Sequence, residues 1–325
     1  MRTARLILLV MLCLTQQWSG RAERDILGLA PNIAATRVPL DESDPRRTRV
    51  GALTYLGGVA LSSRDPAFGG FSSLSVAGDR FTLLSDGGNI VLFRMDAAFR
   101  IGEAAFGDLP AGPGVGWEKK DRDSESMTLD PATGQVWVGF ERYNAIWRYA
   151  PGLRLPAMGV APAAMRDWQA NGGPEAMMRL HDGRFLVIAE SDPRDRDGPR
   201  PALMFAGDPV AHPDRLWRFH YRPPAGYDVS DATELPDGRV LILNRTFALP
   251  FRWGAVLTVI DPRAVKPDQV VAGTEIARFA PPLTLDNYEG LAITREGDTT
   301  ILWIVSDDNQ LFLQRSLLLK FRLNL

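Results

Sequence analysis

Five polar or acidic residues recur along this chain at near-regular intervals. They are Ser73, Glu125, Glu175, Asp231 and Glu289, separated by 52, 50, 56 and 58 residues. A second series trails the first: Asp86, Glu141, Glu190, Asn244 and the pair Asp307/Asp308, with Arg142 and Arg245 directly after two of its members. If the members of each pair lie side by side, the chain assembles a ring dominated by carboxylates. Like charges a few ångströms apart raise each other's pKa or need a cation between them. Oxygen-rich sites of this kind suit hard cations, and Ca2+ takes six to eight oxygen ligands. The expected ligands are Glu125, Glu141, Glu190, Asp231, Glu289, Asp307 and Asp308. Glu289 with Asp307 and Asp308, in DNYEGLA and VSDDNQ, is the densest group in the sequence. Arg142 and Arg245 suit the clamping of a phosphate or carboxylate on a small anionic ligand. The competing reading is that each acid accepts hydrogen bonds from nearby backbone amides and locks neighbouring units together.

The elements that must position these residues are hairpins. Five segments share one plan, namely 71–88, 124–142, 174–192, 230–246 and 288–309: a polar opening, an apolar strand, a tight turn, and a second apolar strand with a polar end. The turns carry Gly78-Asp79, Thr133-Gly134, Asp182-Gly183, Asp237-Gly238 and Gly297-Asp298, residues that tolerate the positive φ of tight hairpin turns. Further strands are expected at 89–96, 144–150, 201–207, 216–221, 254–261 and 316–323. A repeat of roughly 40–50 residues with about four strands is the signature of a propeller blade. The fold class is therefore all-β: a single propeller of five or six blades, with a sixth able to hide in 23–50 or 150–170. The strand at 50–62 is expected to complete the blade made by the last strands, which ties the ring shut. PAAMRDWQA (162–170) is the one short helix candidate. Asp182 and Asp237 belong to turns at the far end, and GPGVG (112–116) is a loop without the context of a nucleotide-binding motif. Asp121, Arg122 and Asp123 are expected in a solvated rim, the alternative being that they line the channel mouth. Trp117 beside them reads equally as an exposed binding platform or a buried anchor.

Residues 1–22 stand apart from this plan. Arg2 and Arg5 precede an apolar run, Leu6 to Leu14, followed by the small residues Gly20 and Ala22, the layout of a secretory leader. The division is thus a signal peptide (1–22) and one propeller domain (23–325), with a periplasmic or secreted destination. Cleavage after Ala22 removes Arg2, Arg5 and Arg21, taking the net charge from −2 to −5, and removes Cys13, the only cysteine. The remainder has no disulfide and no thiolate chemistry. It lacks the basic block of a nucleic-acid binder, and no later apolar run reaches the roughly 20 residues of a membrane span. The three histidines, His181, His212 and His220, have no zinc-ligand spacing. A monomer is expected, since ring closure leaves no terminal strand edge to pair.

Taken in order, the blocks YLGGVALSS, LLSDGG, DSESMTLDPATGQVWVGFERYNAIWRY, NGGPEAMMRLHDGRFLVIAE, DATELPDGRVLILNR, DNYEGLAI, WIVSDDN and LLLKFRL make the chain resemble the phytase-like propeller family, which is associated with an esterase-like activity of phytase. The family's D-x-E-G-type opening matches Glu125, Glu175 and Glu289; Gly290 keeps the glycine, where Ser126 and Ala176 replace it. The resemblance implies an exported propeller and hydrolysis of a phosphoester or related anionic ester assisted by a divalent cation. Glu175 or Glu289 is then the general base, and Arg142 or Arg245 steadies developing negative charge. Two other functions fit the same residues: a sugar-lactone-type hydrolase, and a non-enzymatic periplasmic binding or scaffold propeller.

Overall fold

Why five hairpins become five blades follows from their second strands. These read RFTLLS, VWVGF, FLVI, VLILNRTFA and TTILWIVSD, runs without polar alternation, which demand burial on both faces. The computed structural model describes residues 23–191, 197–248 and 252–325 and supplies both faces. Leu83 and Leu84 enter different apolar clusters, as do Leu186 and Val187, and Leu241 and Ile242. Each of the five clusters fills one wedge between successive sheets.

Blade 1 comprises Phe71–Ala77, Arg80–Ser85, Asn89–Met95 and Ile101–Asp108. Blade 2 comprises Ser124–Leu129, Val136–Phe140, Ala145–Ala150 and Arg154–Val160, and blade 3 Ala176–Arg179, Phe185–Ile188, Arg200–Phe205 and Leu216–Arg222. Blade 4 comprises Asp228–Glu234, Val240–Ala248, Arg252–Ile260 and Thr274–Phe279. Blade 5 takes Asn287–Glu296, Thr299–Asp307 and Ser316–Leu323 from the end of the chain and Leu53–Ser62 from its beginning. The first strands of successive blades touch one another around the ring, including blade 5 with blade 1. The blade number is therefore five. The segments that were open to a sixth blade instead give the edge strand Ala34–Arg37 on blade 5 and the outer strand of blade 2.

The closing strand pairs antiparallel with Ser316–Leu323, Leu61 opposite Ser316 and Leu53 opposite Leu323. Phe321 is fully buried in this seam, with Tyr55 at 5.4 Å and Phe279 at 5.6 Å between ring centroids. Phe321→Ala removes the packing that holds the closing strand to the last blade. Losses for a buried Phe truncated to Ala are about 3–5 kcal/mol, expected here as a lower urea midpoint with an unchanged slope.

At the five hairpin turns, Gly78, Gly134, Gly183, Gly238 and Gly297 have φ of 65°, 72°, 89°, 83° and 59°, the left-handed region that glycine enters without a Cβ clash. The expected helix at 162–170 is only a 3-10 turn, Ala163–Met165, which buries Met165 and Trp168. Ring closure joins the first and last blades, while outer strands such as Ile101–Asp108 contain no buried residue. Among the described residues no helix is long and apolar enough to cross a membrane. The expected leader, with Cys13, lies outside the described residues.

Candidate functional site

The first strand of a blade carries an extra residue in four of the five cases. Ser72, Glu125, Ser230 and Glu289 each have no opposite number, because the ladder steps from Phe71 to Ser73, Ser124 to Ser126, Val229 to Asp231 and Tyr288 to Gly290 against consecutive partners. Such bulges interrupt the pleat and re-aim one side chain. In blade 3 Glu175 stands just ahead of the ladder, its N–H bound to the Gly173 carbonyl at 2.9 Å. The equivalent positions are thus Ser72, Glu125, Glu175, Ser230 and Glu289. Ser73 and Asp231, the members expected in blades 1 and 4, each stand one residue beyond the bulge.

The same register defines a second ring at the ends of the adjacent strands: Asp86, Glu141, Glu190, Arg245 and Asp307. Here blade 4 contributes Arg245, and Asn244, the expected member, lies one position inside. Asn244 is fully buried and hydrogen-bonds to Val256, Thr258 and Tyr221. Blades 2 and 3 therefore carry an acid in both rings, blade 5 does so with Glu289 and Asp307, and blade 4 has none in either.

The two rings meet at one end of the central channel. Asp123, Glu125 and Glu141 bring one carboxylate oxygen each within 4.8 Å of one another, and so do Glu141, Glu175 and Glu190. Glu175 is only 4% exposed. Among the described residues no group donates a hydrogen bond to the carboxylate of Glu125 or Glu175. Burial, followed by the charges of neighbouring acids, holds both well above the ordinary glutamate value. Burial and then Asp123 and Glu190 push Glu141 up to about 8. Asp307 is raised by burial and by Asp86, Glu289 and Asp308.

Three tethered cations answer part of this charge. Lys119 pairs with Asp86. Arg142, with 43% of its side chain exposed, binds Asp123 through Nε at 2.8 Å and lies 4.0 Å from Glu141. The Arg245 guanidinium lies between Glu190, at 2.7 Å, and Glu289, at 3.3 Å, and donates to Asn287 Oδ1 at 3.1 Å. Burial alone would depress the Arg245 pKa, but Glu289 and Glu190 raise it. Glu289 itself is pushed up to about 7 by burial, against the pull of Arg245. Both its oxygens accept hydrogen bonds, Oε1 from Asn287 and Oε2 from Ser230.

Not every expected ligand joins the cluster. Asp231 accepts from its neighbour Ala232 N at 2.7 Å and from Leu291 N on blade 5 at 2.6 Å, so its oxygens serve the blade-to-blade seam. Asp308 accepts from Gly70 N, Gln310 N and Ser316 Oγ and ties the last hairpin to the approach to blade 1. The closest grouping of carboxylates lies on blades 2 and 3, not at Glu289, Asp307 and Asp308. Asp286 accepts from Asn287 N, Gln314 Nε2 and Arg315 N, and is likewise a loop organiser.

The expected solvated rim is also different. Asp121, Arg122 and Asp123 are all buried. The Asp121 carboxylate accepts from Val115 N, Gly116 N and Tyr143 Oη, and Arg122 Nη1 donates to the Pro113 carbonyl at 2.8 Å. Gly114, at φ 63°, makes this wrap possible, since a Cβ there would overlap the Asp121 carboxylate. The wrap delivers Lys119 and Asp123 to the channel, for Asp123 the less favoured of its two expected places. The i, i+2 spacing of Asp123 and Glu125 was the available signal, as alternate residues of an extended segment share a face. Trp117 is 73% exposed, which removes the buried-anchor reading. His181 pairs with Glu234 at the far end, beside Asp182 and Asp237.

Comparison with known proteins gives a family. The profile of the phytase-like family, described as esterase-like activity of phytase, matches residues 66–310. No curated protein matches the chain. Among solved structures, a protein of unknown function from Bacteroides thetaiotaomicron is similar at 12% identity and a TM-score of 0.48, covering 90% of this chain and 76% of its own. The catalytic domain of the Coprinopsis cinerea GH62 α-L-arabinofuranosidase is similar at 14% identity and a TM-score of 0.44, covering 89% and 97%. Myxococcus xanthus glutaminyl cyclase is similar at 10% identity and a TM-score of 0.40, covering 79% and 91%.

Proposed function

The chain belongs to the phytase-like family, and from that premise we propose that it is an exported hydrolase of a phosphoester or related anionic ester that works with a divalent cation, calcium foremost. The observation that carries this reading is the donor set on blades 2 and 3: two three-carboxylate groups that share Glu141 and include Glu125 and Glu175, whose carboxylates accept no hydrogen bond from the described residues. Hard oxygen donors whose charge the tethered cations answer only in part fit a cation of this class. Asp123, Glu125 and Glu141 would hold it. Once bound it supplies Lewis acidity toward an ester or phosphoryl oxygen.

The protein's own groups divide the remaining work. Arg142 stands half-exposed at the opening and meets an anionic group of the substrate as it enters. Glu175, one blade further on and without a donor of its own, takes the proton of the attacking water. Glu289 is already engaged by Arg245, Asn287 and Ser230, which makes it the weaker base. The leader-like segment at 1–22 supports export.

A panel of phosphomonoesters, phosphodiesters and lactones, assayed with the calcium-loaded protein and with the chelated protein, tests the reading. Calcium-dependent release of phosphate or alcohol is expected. Lactone hydrolysis alone would move the protein to the sugar-lactone class, and no turnover on any substrate would leave a binding propeller.

A further inference from the structure

The two rings are nearly fivefold, and their one inversion of charge is Arg245. At its position blades 1, 2, 3 and 5 present Asp86, Glu141, Glu190 and Asp307, all acids. Blade 4 presents a guanidinium, and its bulge position holds Ser230 instead of a glutamate. The guanidinium does not stand free at the opening. It is flanked by Glu190 at 2.7 Å and Glu289 at 3.3 Å, with Asn287 Oδ1 at 3.1 Å. Its Nε is buried and has no partner of hydrogen-bond geometry, although it faces the Glu289 carboxylate. Oxygen groups gathered around a buried positive centre from two neighbouring blades resemble a cation's surroundings, with the cation supplied by a side chain.

On the other side of the channel the arrangement reverses. Glu175 is 4% exposed, and no donor among the described residues reaches its carboxylate. It belongs with Glu141 and Glu190 to one carboxylate group, and Glu141 belongs with Asp123 and Glu125 to the other. Asp86 has Lys119, and Asp123 has Arg142. Glu190, the acid shared between the two sides, is taken by Arg245.

We propose that Arg245 is a built-in cation occupying the place of a second metal ion, so that the channel binds a single divalent cation, on the side of blades 2 and 3. The inference rests on the cation reading of this site and adds to it the number of ions and the residue that sets that number. Removing the guanidinium frees Glu190 and Glu289 to act as ligands, beside Asn287 Oδ1. Keeping the charge as lysine leaves the second place filled.

The test is calcium titration by isothermal calorimetry of the purified full chain, of Arg245→Met and of Arg245→Lys. The expected stoichiometries are one ion for the wild type, two for Arg245→Met and one for Arg245→Lys. A second readout serves a variant too unstable for calorimetry. Stabilisation by a bound ligand grows with the logarithm of its free concentration, once for each site, so the rise of unfolding free energy per decade of calcium should double in Arg245→Met. Two ions in the wild type, or one in Arg245→Met by either readout, would overturn the inference while leaving the cation reading intact. No calcium bound by the wild type would overturn both. Should Arg245→Met fold in no condition, the wild-type stoichiometry still decides, since any value other than one is fatal.

Discussion

Glu175→Gln is expected to lower kcat by two to four orders of magnitude, about the range that a positioned general base contributes, while the protein stays folded. Glutamine has the shape of the glutamate it replaces and cannot accept a proton at that oxygen. The substitution also removes a charge from a crowded place. The Glu175 carboxylate is held far above its usual pKa by burial and by Glu190, Glu141 and Glu289, so its ionised form is the unfavourable one. In chelator at pH 8 the variant should therefore unfold at a higher temperature than the wild type, and at pH 5 at nearly the same temperature. A purely structural role predicts the reverse, a loss of stability accompanying any loss of turnover. Undiminished turnover in Glu175→Gln would remove Glu175 from the mechanism.

The second large effect is a pH dependence that calcium reverses. Glu141 has a folded-state pKa of about 8 and Glu289 of about 7, both above an ordinary 4.5, and Glu125, Glu175 and Asp307 are raised as well. A carboxyl raised in the folded state binds more protons there than in the unfolded chain. Its contribution is complete below pH 4.5 and is lost as the pH climbs through the folded-state value. Each pKa unit corresponds to about 1.4 kcal/mol, so Glu141 alone accounts for a loss on the order of 4 kcal/mol between pH 4.5 and 8. The neighbouring acids share that loss and do not simply multiply it. In chelator the unfolding midpoint is expected to fall steadily from pH 5 to pH 8. A cation favours the ionised forms. With calcium at a hundred times its dissociation constant, about 3 kcal/mol should return at pH 8 and little at pH 5, where protons compete for the same oxygens. Thermal unfolding at both pH values, with calcium and with chelator, measures all four corners. Equal midpoints with and without calcium at pH 8 would mean that the carboxylates on blades 2 and 3 hold no ion.

Both predictions turn on residues that the sequence marked, yet the marking was uneven. Glu125, Glu175 and Glu289 stood out by spacing, and Glu141 and Glu190 by their distance from those openings, and the ladders bring them to one end of the channel. Asp231 and Asn244 were chosen by the same rule, but the ladder puts Ser230, the residue before Asp231, at the bulge and Arg245, the residue after Asn244, at the strand end. A spacing rule cannot see a bulge, because an unpaired residue changes the face of everything beyond it without changing composition or hydropathy. Lys119 and Asp123 were hidden differently. Their loop looks solvated by its charge, and only the close approach permitted at Gly114 folds it over the channel.

The chain by itself determined the all-β propeller, the hairpin turns and the closure of a strand near its beginning onto the last. Each of these follows from local pattern: apolar strands of matching length, glycines where φ must be positive, and a strand at either end without a blade of its own. It also determined that acids would gather at one end, since they occupy the same places in most of the repeats. Only the tertiary structure decided which of them meet, and with what counter-charge. Register, bulges and a returning loop set those distances, and in a buried channel a shift of one residue decides whether a carboxylate faces an amide, an arginine or another carboxylate.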